Sequence, residues 1–270
     1  MKQLLSIEFH KLKKLNSFKV ILLIYAILSP LVMHMLYKFF NMILEPLSEM
    51  TGSDAWNPYQ FPDIWRFATY SSSYFNVLMG VIIVVVVTNE YTFRTLKQNV
   101  IDGLSIKQVI ISKFLSVFVI STIVTVYILL LSLTFGLINS GAENIFVDIE
   151  YIAIYYLQTI CYFSFAFLFA ALLKKPALAI ILFIVSFVVE TIIGSIISAV
   201  GLSSVYAYFP LNAFSKLTPL PIFEDLLKNA QEQAGEMPVI LDMSTNIIIS
   251  LVYMILFFLI AFWVMKRRDL

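Results

Sequence analysis

Six stretches of this chain are apolar for long enough to cross about 30 Å of hydrocarbon as helices: roughly residues 20–37, 67–88, 114–137, 151–173, 177–200 and 247–265. A backbone in lipid has to satisfy its own polar groups, so runs of this length are expected to be helical. Hydrophobic residues make up 60% of the chain and charged residues 13%, with a mean hydropathy of +0.91, which excludes an ordinary soluble domain. The expected fold is an all-α integral membrane protein: one six-helix transmembrane domain over residues 20–270, preceded by an amphipathic interfacial helix over residues 1–19.

The distribution of charge gives the orientation. Lys2, Lys11, Lys13, Lys14, Lys19, Arg94, Lys97, Lys107, Lys113, Lys174, Lys175, Lys266, Arg267 and Arg268 fall on alternate loops and both termini. The other loops hold Lys38, Arg66, Lys216 and Lys228, yet carry most of the acids, from Glu45 and Asp54 to Glu232 and Glu236. By the positive-inside bias both termini are cytoplasmic. The location expected is the plasma membrane, as the inner or cytoplasmic membrane of a bacterium. A net charge of +1 gives no sign of nucleic acid as a partner.

The N-terminal run is basic and then apolar, but the apolar part is longer than a signal-peptide core and no small-residue cleavage site follows it, so it is expected to be retained. At helical spacing Leu4, Leu5, Phe9, Leu12 and Leu15 share a face opposite Lys2, Ser6, His10 and Lys13, which suits a helix lying in the inner interface or a simple topogenic anchor. Glu8 falls within the apolar arc. A carboxylate there needs a partner, either Lys11 at i+3 or a neighbouring segment.

Between the second and third apolar runs lies the polar stretch from Thr88 to Leu115. Asp102-Gly103 signals a turn, and Ser105 with Gln108 fits a capping box that starts the next helix. The second span is expected to continue helically past Glu90 to about Asn99, reverse, and return as a short cytoplasmic hairpin. Val100, Ile101, Leu104 and Ile106 would form an apolar tip suited to a groove on a soluble partner, or would dip into the lipid interface.

The succession of Glu90, Thr95-Leu96, the turn Asp102-Gly103-Leu104-Ser105, Lys107, and Lys113 before an apolar span resembles the signature of ABC-2 type transporter permeases. In that family a Glu ends the second span, a T-L-[KR] stretch and an S-[RK] turn follow, and a Lys opens the third. "IEFHKLKK", with Glu8 three residues before Lys11, similarly resembles the family's N-terminal connecting helix. Two positions depart from the pattern: Arg94 stands where a Gly is usual, and Asp102-Gly103 where a Pro is frequent.

The resemblance implies the permease subunit of an ABC exporter. Glu90, Thr95, Val100, Ile101, Asp102, Gly103, Leu104, Ser105 and Lys107 would then form the coupling element that an ATP-binding subunit grips. The chain contains no G-x-x-x-x-G-K-[ST], so it is not expected to be an enzyme or to bind a cofactor itself. ATP and Mg would sit on the separate ATPase, and a second permease chain, identical or related, would complete the transporter.

Glu190 lies near the middle of the fifth run, where an acid faces protein or water rather than lipid. It could line a path, form a dimer contact, or make a structural polar contact with Ser186 or Thr191. Ser71, Ser72, Ser73 and Asn76 suit close helix packing. Trp56, Tyr59, Trp65, Tyr70 and Tyr74, with Trp263 at the other end, fit aromatic belts. Residues 201–242, with Pro210, Pro219, Pro221 and Pro238 and the amphipathic "PIFEDLLKNAQEQ", are expected to form a structured outer loop with a surface helix, lying wholly outside or partly re-entrant. Cys161, with His10 and His34 far off in sequence, suggests packing filler or a lipid-facing side chain and no metal site.

Competing classes are a membrane anchor or immunity-type protein that recruits a cytoplasmic partner, and an intramembrane enzyme, for which Glu190 alone is too little. A proton-coupled carrier would want more intramembrane ionisable groups. The substrate is not legible in these residues.

Overall fold

A computed structural model describes residues 8–9, 11–51, 57–93, 95–220 and 241–267. Its helices are α1 (Asn16–Thr51), α2 (Asp63–Ser73), α3 (Asn76–Thr92), α4 (Thr95–Ile101), α5 (Ile106–Ser140), α6 (Glu150–Leu173), α7 (Pro176–Ala199), α8 (Ser203–Tyr206), α9 (Pro210–Ser215) and α10 (Met243–Arg267). Among the described residues there is no strand. Five helices, α1, α5, α6, α7 and α10, are each long and apolar enough to cross a membrane, as in a multi-pass all-α membrane protein.

The expected straight span over residues 67–88 is instead the pair α2 and α3, bent by 52° at Tyr74 and Phe75. A run of hydroxyl side chains precedes the bend. Thr69 bonds back to the Trp65 and Arg66 carbonyls, Ser71 to Ala68 and Ser73 to Tyr70. Such back-bonding competes with the helix ladder and bends helices. The first helix is longer than expected, beginning at Asn16 after a break at Leu15.

α6 is the central element. Of its most apolar window 72% is buried, against 11% for α7 and 17% each for α1 and α10. Small residues at Cys161, Ser164, Ala166, Ala170 and Ala171 are all buried and let neighbours approach closely. Cys161 is filler, its Sγ lying 3.5 Å from the Ser250 carbonyl oxygen. α7 buries Ala179, Phe183 and Gly194 and leaves most of its apolar surface open, as a lipid-facing helix does.

Two of the expected belt residues are core instead. Trp65 is fully buried, and its indole N–H donates to the Ile145 carbonyl at 3.1 Å; Tyr59 is buried against Tyr37, Phe67 and Phe135. An indole finds its polar partner there inside the protein. Tyr74 and Trp263 remain exposed, and Trp263 lies under the Arg267 guanidinium at 3.8 Å. Trp56 and the 221–233 stretch lie outside the described residues.

Candidate functional site

α3 ends at Thr92 rather than running to Asn99, and helix resumes as α4 at Thr95. After Ile101 the chain turns through Asp102 and Gly103, whose φ of +100° a side chain would resist. Gln98 holds the turn through the Asp102 carboxylate at 3.0 Å. α5 then starts on the expected capping box: the Gln108 N–H donates to Ser105 Oγ at 3.3 Å, and the Ser105 N–H to Gln108 Oε1 at 2.8 Å. Ile101 is 77% exposed; Ile106 and Lys107 are exposed too, while Val100, Leu104 and Thr95 are half-buried.

Directly behind this turn lies a buried cluster of charges. Lys113, about two turns into α5, is fully buried, with its Nζ 2.6 Å from Glu8 Oε1 and 2.5 Å from Glu90 Oε1. Ser116, on the same face of α5, donates to the other Glu8 oxygen at 2.7 Å. Lys11 completes the group, 3.1 Å from Glu90 and 3.8 Å from Glu8. Two cations therefore face two anions, which is how buried charges are tolerated.

The expected Glu8–Lys11 pair is thus the lesser contact, and the neighbouring segment supplies the main one. Of the expected apolar arc, Leu12 is buried and Leu15 half-buried against the core, and Glu8 within that arc is buried with them, whereas Phe9 is 48% exposed. Leu4, Leu5, Lys2, Ser6 and His10 lie outside the described residues. Burial pushes the Glu8 carboxyl up; the charge and hydrogen bond of Lys113, then Ser116 and Lys11, more than offset this and hold it below its ordinary 4.5. The second oxygen of Glu90 is buried without a hydrogen-bond partner among the described residues, as is the Thr95 hydroxyl.

The same end of the molecule gathers other basic residues. Lys174, in the short α6–α7 link, lies over the Tyr91 ring at 5.5 Å, and Phe262, one turn before Lys266 on α10, meets Phe114. The opposite end carries the Arg66–Asp148 pair at 2.9 Å and the Arg66–Tyr151 cation–π contact.

Glu190 stands apart from this cluster. Ser186 and Thr191 do not serve it, since both bond their own helix carbonyls. Its Oε1 instead accepts the Asn212 backbone N–H at 2.8 Å, at the start of α9. Among Ser71, Ser72, Ser73 and Asn76, all but Ser73 are buried, and Asn76 begins a polar chain that sequence reasoning missed. Its amide reaches Gln158 at 3.4 Å and Tyr155 at 3.5 Å, and Tyr155 meets Tyr25 at 3.1 Å. Ser116 and Gln158 were visible as polar residues inside apolar runs, which is the signal that could have found them.

No curated protein matches the sequence. A family model matches residues 53–270, taking in Glu90, Lys113, Gln158 and Glu190 but not Glu8 or Lys11. The chain accordingly belongs to the family described as protein of unknown function (DUF2705).

Proposed function

We propose that this chain is the membrane-spanning permease of an ATP-driven ABC exporter, with the α4–turn–α5 start as the element that a separate ATP-binding subunit grips. One observation carries the reading. The exposed Ile101 tip is backed by Lys113, which ties the end of α3, the start of α5 and the N-terminal segment into one ion-paired unit. A push on the tip would therefore reach three segments together, as coupling ATP hydrolysis to helix movement requires.

In this reading α2 and α3 together make one crossing, giving six, with both termini on the cytoplasmic side. The gathering of Lys11, Lys107, Lys113 and Lys174 at the tip's end supports that orientation. ATP and Mg belong to the partner, and a second permease chain faces this one. The bilayer in question would be a plasma membrane.

Ile101→Asp and Leu104→Asp test it by placing a charge in the docking tip. Both variants are expected to insert and fold but to lose a co-purifying ATPase and its stimulation. Retention of that ATPase by both would remove the tip as the docking site. Docking without any transported solute would favour the recruiting anchor instead.

A further inference from the structure

α6 packs against both α7 and α10, while α7 and α10 scarcely meet each other. Phe165 of α6 points between them, its ring meeting Phe183 and Phe187 on α7 and Phe257 on α10. On the side away from the basic end of the molecule, protein fills the gap: Phe214 of α9 is wedged against Tyr162, Tyr253 and Phe257.

On the basic side the gap stays open. Leu172 continues the face of Phe165 about two turns further along α6, and it is 38% exposed although α6 is the most buried of the long helices. Ile260, one turn on from Phe257 along α10, is exposed too. From Phe165 to Lys175 the groove runs about 15 Å at 1.5 Å per residue, half of the ~30 Å hydrocarbon thickness, which is the depth of one leaflet.

The mouth of the groove is basic. Lys175 is exposed in the link before α7, and Arg267 is exposed at the end of α10, on the face that Phe257, Ile260 and Val264 mark at helical spacing. The Arg267 guanidinium lies 3.8 Å over the exposed Trp263 ring, which holds it flat and leaves its N–H fork for an acceptor. Among the described residues no acid pairs with Lys175 or Arg267, and Lys174 turns aside to the Tyr91 ring of α3.

An apolar groove of leaflet depth with cations at its mouth is complementary to a lipid whose headgroup is an anion. A second copy of the chain is not complementary there, because in the same orientation it would bring its own basic end level with this one.

We propose that the groove between α7 and α10 binds an anionic phospholipid, one acyl chain lying along Phe165 and Leu172 and the phosphate held by Lys175 and Arg267. This goes beyond the ATPase reading and holds or fails without it, since it needs only that the helices lie in a bilayer.

The test uses the full chain purified in detergent, with phosphatidylglycerol or phosphatidylcholine of identical acyl chains added back. Native mass spectrometry counts the lipid retained. The parent is expected to retain phosphatidylglycerol over phosphatidylcholine by about tenfold or more, the scale set by two basic residues beside an anionic headgroup. Lys175→Gln with Arg267→Gln should bring the two lipids close to parity. Lys13→Gln with Lys14→Gln removes the same charge from exposed residues of the N-terminal segment and should keep the preference. Leu172→Trp, which fills the groove and leaves the charges in place, should lose most of the retained phosphatidylglycerol.

Equal retention of the two lipids by the parent overturns the site, as does a preference that survives the Lys175 and Arg267 substitutions. An equal loss on substituting Lys13 and Lys14 would reduce the effect to diffuse attraction by the basic end, and overturns it as well. Unchanged retention in Leu172→Trp overturns the groove as the seat of the acyl chain.

Discussion

Lys113 stands between Glu8 and Glu90, bonded to a single oxygen of each, although Glu8 lies 105 residues away in sequence. Its ammonium is the one cation in the cluster with no exposure at all. Lys113→Met would leave two buried carboxylates facing Lys11 alone. The expected loss is about 3–5 kcal/mol, as for breaking a buried ion pair. Thermal unfolding in detergent measures it, and adding Glu8→Gln and Glu90→Gln to Lys113→Met should recover a large part of the loss.

Glu8 makes the docking of the N-terminal segment acid-sensitive. Its carboxyl titrates below the ordinary 4.5 when docked, so its contribution is fully present above about pH 4.5 and is lost as pH falls through the lower docked value. Proteolysis of the N-terminal segment should therefore stay flat from neutral pH down to about 4.5 and accelerate below it. Glu8→Gln should remove that acid step and leave the segment more readily cut at neutral pH.

Gly80 marks the close approach of α3 and α7. A Cβ there would lie 2.7 Å from the tip of the Phe183 ring, which is itself fully buried among Phe165, Phe169 and Phe187. The ring has little room to yield. Gly80→Ala is expected to cost about 1–3 kcal/mol by overpacking, and Gly80→Val more. The melting temperature in detergent checks the order.

Orientation can be read by thiol labelling in intact cells. In a Cys161→Ala background, a cysteine at Asn144, exposed in the α5–α6 link, should react with an impermeant reagent added outside. One at Asn99, in α4, should not. Reversed labelling would place the basic end of the molecule outside and remove the ATPase docking proposal with it.

Much of the helical framework was legible in the sequence, because the signals are local. The length of an apolar run, the Ser105–Gln108 spacing and the Asp102-Gly103 turn each act within a few residues, and a helix of any tertiary environment uses them in the same way. The bend at Tyr74 was less legible. Its cause, the hydroxyls of Thr69, Ser71 and Ser73, was visible, but hydroxyls in an apolar helix serve packing as readily as bending.

Tertiary structure decided which polar groups meet. Helices such as α5 and α6 are apolar almost all round, so their sequences leave open which side faces protein and which faces lipid. Glu190 could be recognised as needing a partner, yet that partner is a backbone N–H on the segment after α7, whose prolines left open whether it stays outside or re-enters and did not point to Glu190. Lys113 and Glu8 were each legible as charges near apolar runs. Their pairing depends on the rotation of α5 and on where Glu8 docks against it, both fixed by packing across the bundle rather than by any residue's neighbours in sequence.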